Sequence, residues 1–398
     1  MNSAETPSLA WLLRPVSTEN YFQNYWEKQP LVIKRQQPQY LSSLLSFADI
    51  DRVITTLDRR YPDICLKNAN DPSLTPSDYT FEGGALDVAK VYELFERGST
   101  ITLAFLDTVL PALTLLCRTL EREFSCPFQT NVYMTPPGAQ GAKPHYDTHD
   151  VFVLQIAGSK QWTIFGTPVE SPLPGQEFDE RVHQLGAPTL EFDLNPGDVA
   201  YIPRGVAHEA RSTDTVSLHI TTGILRYTWA DLLLESIAAA SLNDPAFRKA
   251  LPPGFARTDF DRTEARNTMR ELLRHAASAD SSFDSALDSF IDKFLSKCPP
   301  VLEGQMAQLA ALDSLNVDSV VGARPGLIYR LRNQGASAAV EIYGGRIMFP
   351  GEVREAVRYA LSAPRFEIRD LPGNLDDAGK LTLIRRLIRE GLVLTLSV

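Results

Sequence analysis

The sequence predicts an α+β protein in which a strand-rich barrel or sandwich is flanked by helices. Residues 128–225 are dense in short apolar runs broken by Pro, Gly, Asn and Asp, the texture of a β-sandwich or barrel. Residues 229–297 switch to apolar positions three and four apart, the helical period. A chain of 398 residues also exceeds one ordinary core, so two or three domains are expected.

The first 60 residues read as mostly helical. ENYFQNYWEKQP places Tyr21, Phe22, Tyr25 and Trp26 at helix-like spacing, Pro30 stops the helix, and LVIKR reads as a strand. DTVLPALTLLCRTLEREF is a second amphipathic helix, ending near Ser125 and Pro127. FQTNVYMTP then reads as a strand and PPGAQGAK as a turn. HYDTHDVFVLQIAG is largely extended, with a tight turn at Gly158-Ser159 into KQWTIFG. LEFDL, NPGD and VAYIP make a strand–turn–strand, and SLHITTGIL closes the region.

Three helices are expected next, in WADLLLESIAAASL, ARNTMRELLRHAASA and DSALDSFIDKFLSK. Leu232, Leu233, Ile237 and Leu242, with Leu272, Leu273, Phe290 and Phe294, would form apolar stripes that demand a partner surface. From Pro299 strands and helices alternate. The last helix, followed by EGLVLTLSV, resembles a winged helix ending in a β-wing. The boundaries are therefore 1–228, 229–298 and 299–398.

Composition narrows the function classes. Net charge is −10, which disfavours non-specific attraction to nucleic acid or anionic lipid. Charge is nearly balanced over the C-terminal segment, whereas a nucleic-acid-binding wing is normally basic. No apolar run approaches the roughly 20 residues that span a bilayer, and the N-terminus lacks a secretory-signal pattern. Cys65, Cys117, Cys126 and Cys298 show no CxxC spacing. They read as buried reduced thiols of a cytoplasmic protein.

The chemistry-bearing residues fall in two stretches. In His145-Tyr146-Asp147, an extended backbone turns residues i and i+2 to one side. An imidazole and a carboxylate then share one point in space. In NPGDVAYIPRGVAH, two turns bracket a strand and deliver His208 on the next. Two histidines and one carboxylate cap one face of an octahedral metal and leave three positions open, the pattern of non-haem Fe(II) oxygenases. Zinc is the competing metal, but it prefers tetrahedral N and S donors.

Neighbouring polar residues are secondary candidates. Ser217 and His219 share strand parity beyond the third ligand and so can line one pocket, as packing would also explain. His149 lies four residues past His145 and can share its face. Asp150 reads as structural. Arg204 is read either as a cap of the metal-side loop or as solvated. His183, within GQEFDERVHQLG, belongs to an insertion loop over the barrel mouth, and His275 to a helix surface.

PHYDTHDVFVLQIAGSKQW, followed by YIPRGVAHEA and SLHIT, resembles the JmjC-type ribosomal oxygenases, a cupin family of protein hydroxylases. The resemblance runs through about residues 20–225 and extends beyond. It implies a double-stranded β-helix (cupin/JmjC barrel), a helical dimerisation segment at 229–298 with a homodimer, and a winged-helix-like C-terminal domain. It also implies Fe(II), 2-oxoglutarate and O2 as reactants, and hydroxylation of a His or Arg side chain of a ribosomal protein. Some members are assigned histone lysine demethylation, but this chain has no basic tail.

On the matching positions, the ligands are His145, Asp147 and His208. The basic residue for the distal carboxylate of 2-oxoglutarate is Lys160, and Asn131 and Tyr133 line the co-substrate pocket. A lysine supplies a charge-assisted hydrogen bond for that anion. Asn131 and Tyr133 have the same strand parity. The alternatives that stay open are a cupin oxygenase acting on a free amino acid or natural-product peptide, and a non-enzymatic metal-binding scaffold.

Overall fold

Alternation along the central strands decides how the protein is layered. The structure, a computed structural model, describes residues 6–278 and 280–396. Ten strands build the first two sheets: β1 (Leu31–Ile33), β2 (Ile64–Lys67), β3 (Thr100–Ala104), β4 (Phe128–Thr135), β5 (Asp150–Ala157), β6 (Lys160–Gly166), β7 (Leu190–Leu194), β8 (Val199–Ile202), β9 (Ala207–Ser212) and β10 (Ser217–Ile224). The larger sheet is antiparallel in the order β1-β8-β5-β10-β4-β3-β2, and the smaller is β7-β6-β9.

β5 reads apolar on both faces, because both are covered. Val151 and Val153 point into the barrel with Trp162, Ile164, Phe192, Leu194, Ala200 and Ile202. Phe152, Leu154 and Ile156 point the other way, into a core shared with the N-terminal helices. Those helices are α1 (Leu9–Leu13), α2 (Thr18–Asn24), α3 (Phe47–Thr56), α4 (Val88–Glu96) and α5 (Pro111–Phe124). Pro111 opens α5 at a position where its missing N–H costs nothing. Leu113, Leu116, Cys117 and Leu120 are its fully buried face.

Two details depart from the sequence reading. LEFDL and VAYIP are consecutive but lie in different sheets, β7 on β6 and β8 between β1 and β5. The NPGD turn between them is pinned instead by Asp198, whose carboxylate accepts from Arg35 N at 2.8 Å and Asn195 N at 3.0 Å. Regular pairing of HYDTHDVFVLQIAG begins only at Asp150. Before it, His145 makes an isolated bridge to His208.

The helical segment holds α6 (Trp229–Asn243), α7 (Thr263–Ser278) and α8 (Asp280–Leu295). Tyr227 packs edge-on against Phe290 with centroids 4.9 Å apart, and Glu235 accepts from Lys293 at 2.9 Å. The expected stripes divide: Phe294 is buried, while Leu233, Leu242 and Leu273 are exposed.

The C-terminal region adds α9 (Gln305–Ala310), β11 (Val320–Ala323), β12 (Arg330–Gln334), β13 (Ser337–Ile342), β14 (Gly345–Pro350), α10 (Arg354–Ser362), β15 (Phe366–Glu367), α11 (Asp377–Arg389) and β16 (Val393–Thr395). Its core gathers Val321, Ile347, Phe349, Val357, Ile384, Leu387 and Val393. The described residues of EGLVLTLSV supply the single strand β16, which pairs with β11. The hairpins of this region are those of β12-β13-β14, earlier in the chain.

Candidate metal centre

The bridge between His145 and His208 is what assembles the site. His145 N donates to His208 O at 3.0 Å, and His208 N to His145 O at 2.8 Å. Gly205 N then donates to Asp147 O at 3.0 Å, tying the turn before His208 to the third candidate ligand. Among the described residues, His145, Asp147 and His208 are one group whose donor atoms all lie within 4.8 Å of one another. Each histidine Nε2 is 3.9 Å from a carboxylate oxygen of Asp147.

The histidine tautomers suit a metal. His145 Nδ1 lies 2.8 Å from Lys143 O and His208 Nδ1 lies 3.0 Å from Val206 O. A carbonyl can only accept, so both rings carry the proton on Nδ1 and leave the Nε2 lone pair toward Asp147. Burial lowers the pKa of His208, partly opposed by Asp147, so the neutral ligating form is favoured. The donor set of two imidazoles and one carboxylate fits a ferrous ion, and no sulfur donor belongs to the group.

Behind these three lies a cavity walled by Tyr133, Val151, Val153, Lys160, Trp162 and His219, with Lys67, Thr102, Glu209 and Thr221 also on its lining. His219 faces Tyr133 across β10 and β4, which stacks the rings 4.9 Å apart and 6° from parallel. Trp162 crosses His219 edge-on at 5.9 Å. Lys160 is 4% exposed and has no hydrogen-bond or ion-pair partner among the described residues. Burial drives its pKa down to about 7. The same burial, aided by Lys160, drives His219 well below its ordinary value. His219 Nδ1 and Trp162 Nε1 are buried without a partner. A buried ammonium and two orphaned polar nitrogens around one cavity are costly unless a polar or anionic guest satisfies them.

Tight turns set this arrangement. Gly158 has φ 58°, and a Cβ there would sit 2.0 Å from Val216 O, so only glycine lets β6 start with Lys160 facing inward. The other candidates are placed unevenly. Tyr133 reaches the cavity wall, whereas Asn131 is not on it and accepts from Gln129 Nε2 at 3.1 Å. Ser217 is also off the wall. The register of β10 against β5 shifts between Leu218 and His219, and Ser217 Oγ accepts from Gln155 Nε2 at 2.9 Å. His149 packs against Gly223, because residues 146–149 are not strand. Arg204 is paired with Glu27 at 2.6 Å. His183 stacks on Phe178 over Tyr146, and Tyr146 donates to Gln176 O at 2.9 Å, so the 167–189 loop does sit beside the site.

Sequence reasoning missed Trp162 and Thr102. Trp162 was findable as the residue two beyond Lys160 on one strand. Thr102 was not, because β3 is a five-residue run with no turn signature. A larger cleft of about 850 Å³ lies between the barrel, α6, α8 and the C-terminal region. It contains none of the candidate ligands.

Known proteins resemble this chain in sequence and in fold. Residues 108–232 match the model of the JmjC domain. Over these residues the chain is similar to a JmjC domain. In curated proteins, this chain is 35% identical over 235 residues to the bifunctional lysine-specific demethylase and histidyl-hydroxylase NO66 of Aedes aegypti, covering 56% of this chain and 36% of that one. It is 33% identical over 256 residues to ribosomal oxygenase 1 of Danio rerio, covering 61% and 46%. The chain thus spans between about a third and a half of these relatives. A solved structure of YcfD, a ribosomal oxygenase of Escherichia coli, in complex with cobalt and 2-oxoglutarate aligns over 96% of this chain and 99% of its own, with TM-score 0.54 and 16% identity. At that identity the match speaks to the fold, and it extends past the JmjC domain to the helical and C-terminal regions.

Proposed function

We propose that this chain is an Fe(II)- and 2-oxoglutarate-dependent oxygenase that hydroxylates a protein side chain, a histidine or arginine of a ribosomal protein. The observation that carries the reading is the pairing of a His145–Asp147–His208 donor face with the unpartnered ammonium of Lys160 in one cavity. The names of the relatives, a histidyl-hydroxylase and a ribosomal oxygenase, support the substrate class.

When bound, the ferrous ion with 2-oxoglutarate and O2 supplies the oxidising chemistry of C–H hydroxylation. The protein's residues do the rest. His145, Asp147 and His208 would hold the metal. Lys160 would receive the distal carboxylate of 2-oxoglutarate through a charge-assisted hydrogen bond. Tyr133, Trp162 and His219 wall that pocket and exclude water. The 167–189 loop and Glu209, whose carboxylate accepts from Gln140 Nε2 at 2.7 Å, border the entrance where a polypeptide would lie.

The outward Leu233, Leu242 and Leu273, together with Trp229 at 78% exposed, support a homodimer through the helical segment. Alternating strands and helices beyond residue 299 support a winged-helix-like domain. Four unpaired cysteines fit a reducing cytoplasm. The decisive experiment incubates the chain with Fe(II), 2-oxoglutarate and a ribosomal protein extract. Succinate formation coupled to a single-oxygen mass gain on one peptide supports the reading. Full 2-oxoglutarate turnover by Asp147→Ala would end it.

A further inference from the structure

Beneath the ligand loops lies a buried charge cluster that the proposed chemistry does not use. Asp150 is fully buried. Its Oδ1 accepts from Tyr201 Oη at 2.9 Å and lies 3.4 Å from Arg204 N. Its Oδ2 is 3.3 Å from Arg226 Nη1 and 3.6 Å from Arg204 Nη1. Glu27 closes the cluster, bonded to Arg204 at 2.6 Å and 3.6 Å from Arg226 Nε, while its N–H donates to Tyr201 Oη at 2.9 Å. Glu27 adopts φ 54°, a left-handed backbone that a side chain rarely takes without compensation.

The cluster reaches both metal-ligand segments. Asp150 lies three residues after Asp147, and Arg226 points both guanidinium amines at Thr148 O at 3.4 Å, the carbonyl next to Asp147. Arg226 Nη2 also approaches Pro172 O of the entrance loop at 3.5 Å. On the other side, Arg204 precedes Gly205, whose N–H holds Asp147 O. Gly205 itself leaves no room for a side chain, since a Cβ would lie 2.0 Å from Val169 O.

The geometry points to Asp150 and Arg226 as positioning residues of the metal centre, a bolt that clamps the Asp147 segment to the turn before His208 and so holds the donor face convergent before metal arrives. This rests on the metal-centre reading above. Tyr201 and Arg204 fix the carboxylate of Asp150, and Arg226, delivered just past β10, fixes the Thr148 carbonyl. Outer partners that orient ligands typically change metal affinity by about 10–100-fold when removed.

The test uses the full chain with Co(II) alone, following affinity by titration and ligand geometry by the cobalt d–d absorption bands. Arg226→Gln is expected to weaken Co(II) binding about tenfold or more and to shift the bands. Because Arg226→Gln strands the buried Asp150 charge, the double variant Asp150→Asn/Arg226→Gln removes both charges together. Arg226→Lys keeps the charge but loses the forked reach to Thr148. Weakened binding and altered bands in either of these, with wild-type circular dichroism, support the proposal. Wild-type affinity and bands in both overturn it and leave the cluster purely structural. If the unmodified chain binds no Co(II), or binds it equally after His145→Ala, the metal-centre reading has failed instead.

Discussion

The barrel and the C-terminal region bury polar groups in opposite ways. In the C-terminal region, Arg324 donates to Gly391 O and Val301 O at 2.6 and 2.9 Å, and Glu341 is held by Arg330 and Arg346 at 2.5 and 2.6 Å. Thr395 donates to Gln308 at 2.7 Å. Arg324, Glu341 and Thr395 are each answered within the fold, as stability requires. In the barrel, Lys160, His219 Nδ1 and Trp162 Nε1 are left unanswered around one cavity. These three surround one cavity, where a polar or anionic guest would satisfy them together.

The largest expected effect tests that guest directly. His145→Ala, Asp147→Ala or His208→Ala should abolish metal binding and 2-oxoglutarate turnover, read by cobalt titration and succinate release. Lys160→Ala should raise the 2-oxoglutarate KM by about 10–150-fold, the equivalent of a charge-assisted bond of about 1.5–3 kcal/mol. Its effect on the melting temperature should be small or stabilising, because an uncompensated buried ammonium disappears.

Lys160 also sets a pH dependence. Its free-state pKa is lowered to about 7, below the ordinary lysine value of 10.5. The bound dianion needs the protonated amine, so affinity should be flat below about pH 7 and fall about tenfold per unit above it. Stability of the empty protein runs the opposite way. Between pH 7 and 10.5 the unfolded chain binds the extra proton, so stability should rise with pH through that window. Calorimetric titration of 2-oxoglutarate at pH 6 to 8.5 checks the first statement, and melts over the alkaline range check the second. Affinity independent of pH in Lys160→Ala would tie the effect to this residue.

The buried pair at the base of α5 provides a structural counterpart. Arg118 is bonded to Glu121, which also accepts from Phe128 N at 3.0 Å. Arg118→Ala leaves a carboxylate buried and should cost about 3–5 kcal/mol, seen as a lower melting temperature with little change in 2-oxoglutarate KM. Leu233→Asp combined with Leu273→Asp should convert a dimer to monomers in light scattering if the helical face is the interface. At the small end, Arg181→Ala removes an exposed pair with Asp179. It should leave the melting temperature essentially unchanged.

The amino-acid sequence by itself determined the ligand chemistry and the strand-rich architecture. HxD and a PGDxxYIPxGxxH segment carry their information locally, in residue type, parity and turn-forming Pro and Gly. Helices α6 to α8 were legible because three- and four-residue periodicity is also local. Tertiary structure decided what depends on long-range pairing. It placed β7 and β8 in different sheets, recruited the short strands β2 and β3, engaged Ser217 with Gln155 instead of the cavity wall, and gathered Glu27, Asp150, Arg204 and Arg226 from four separate stretches. Strand partners, like buried charge partners, are chosen by which distant surfaces meet, and no spacing along the chain encodes that meeting.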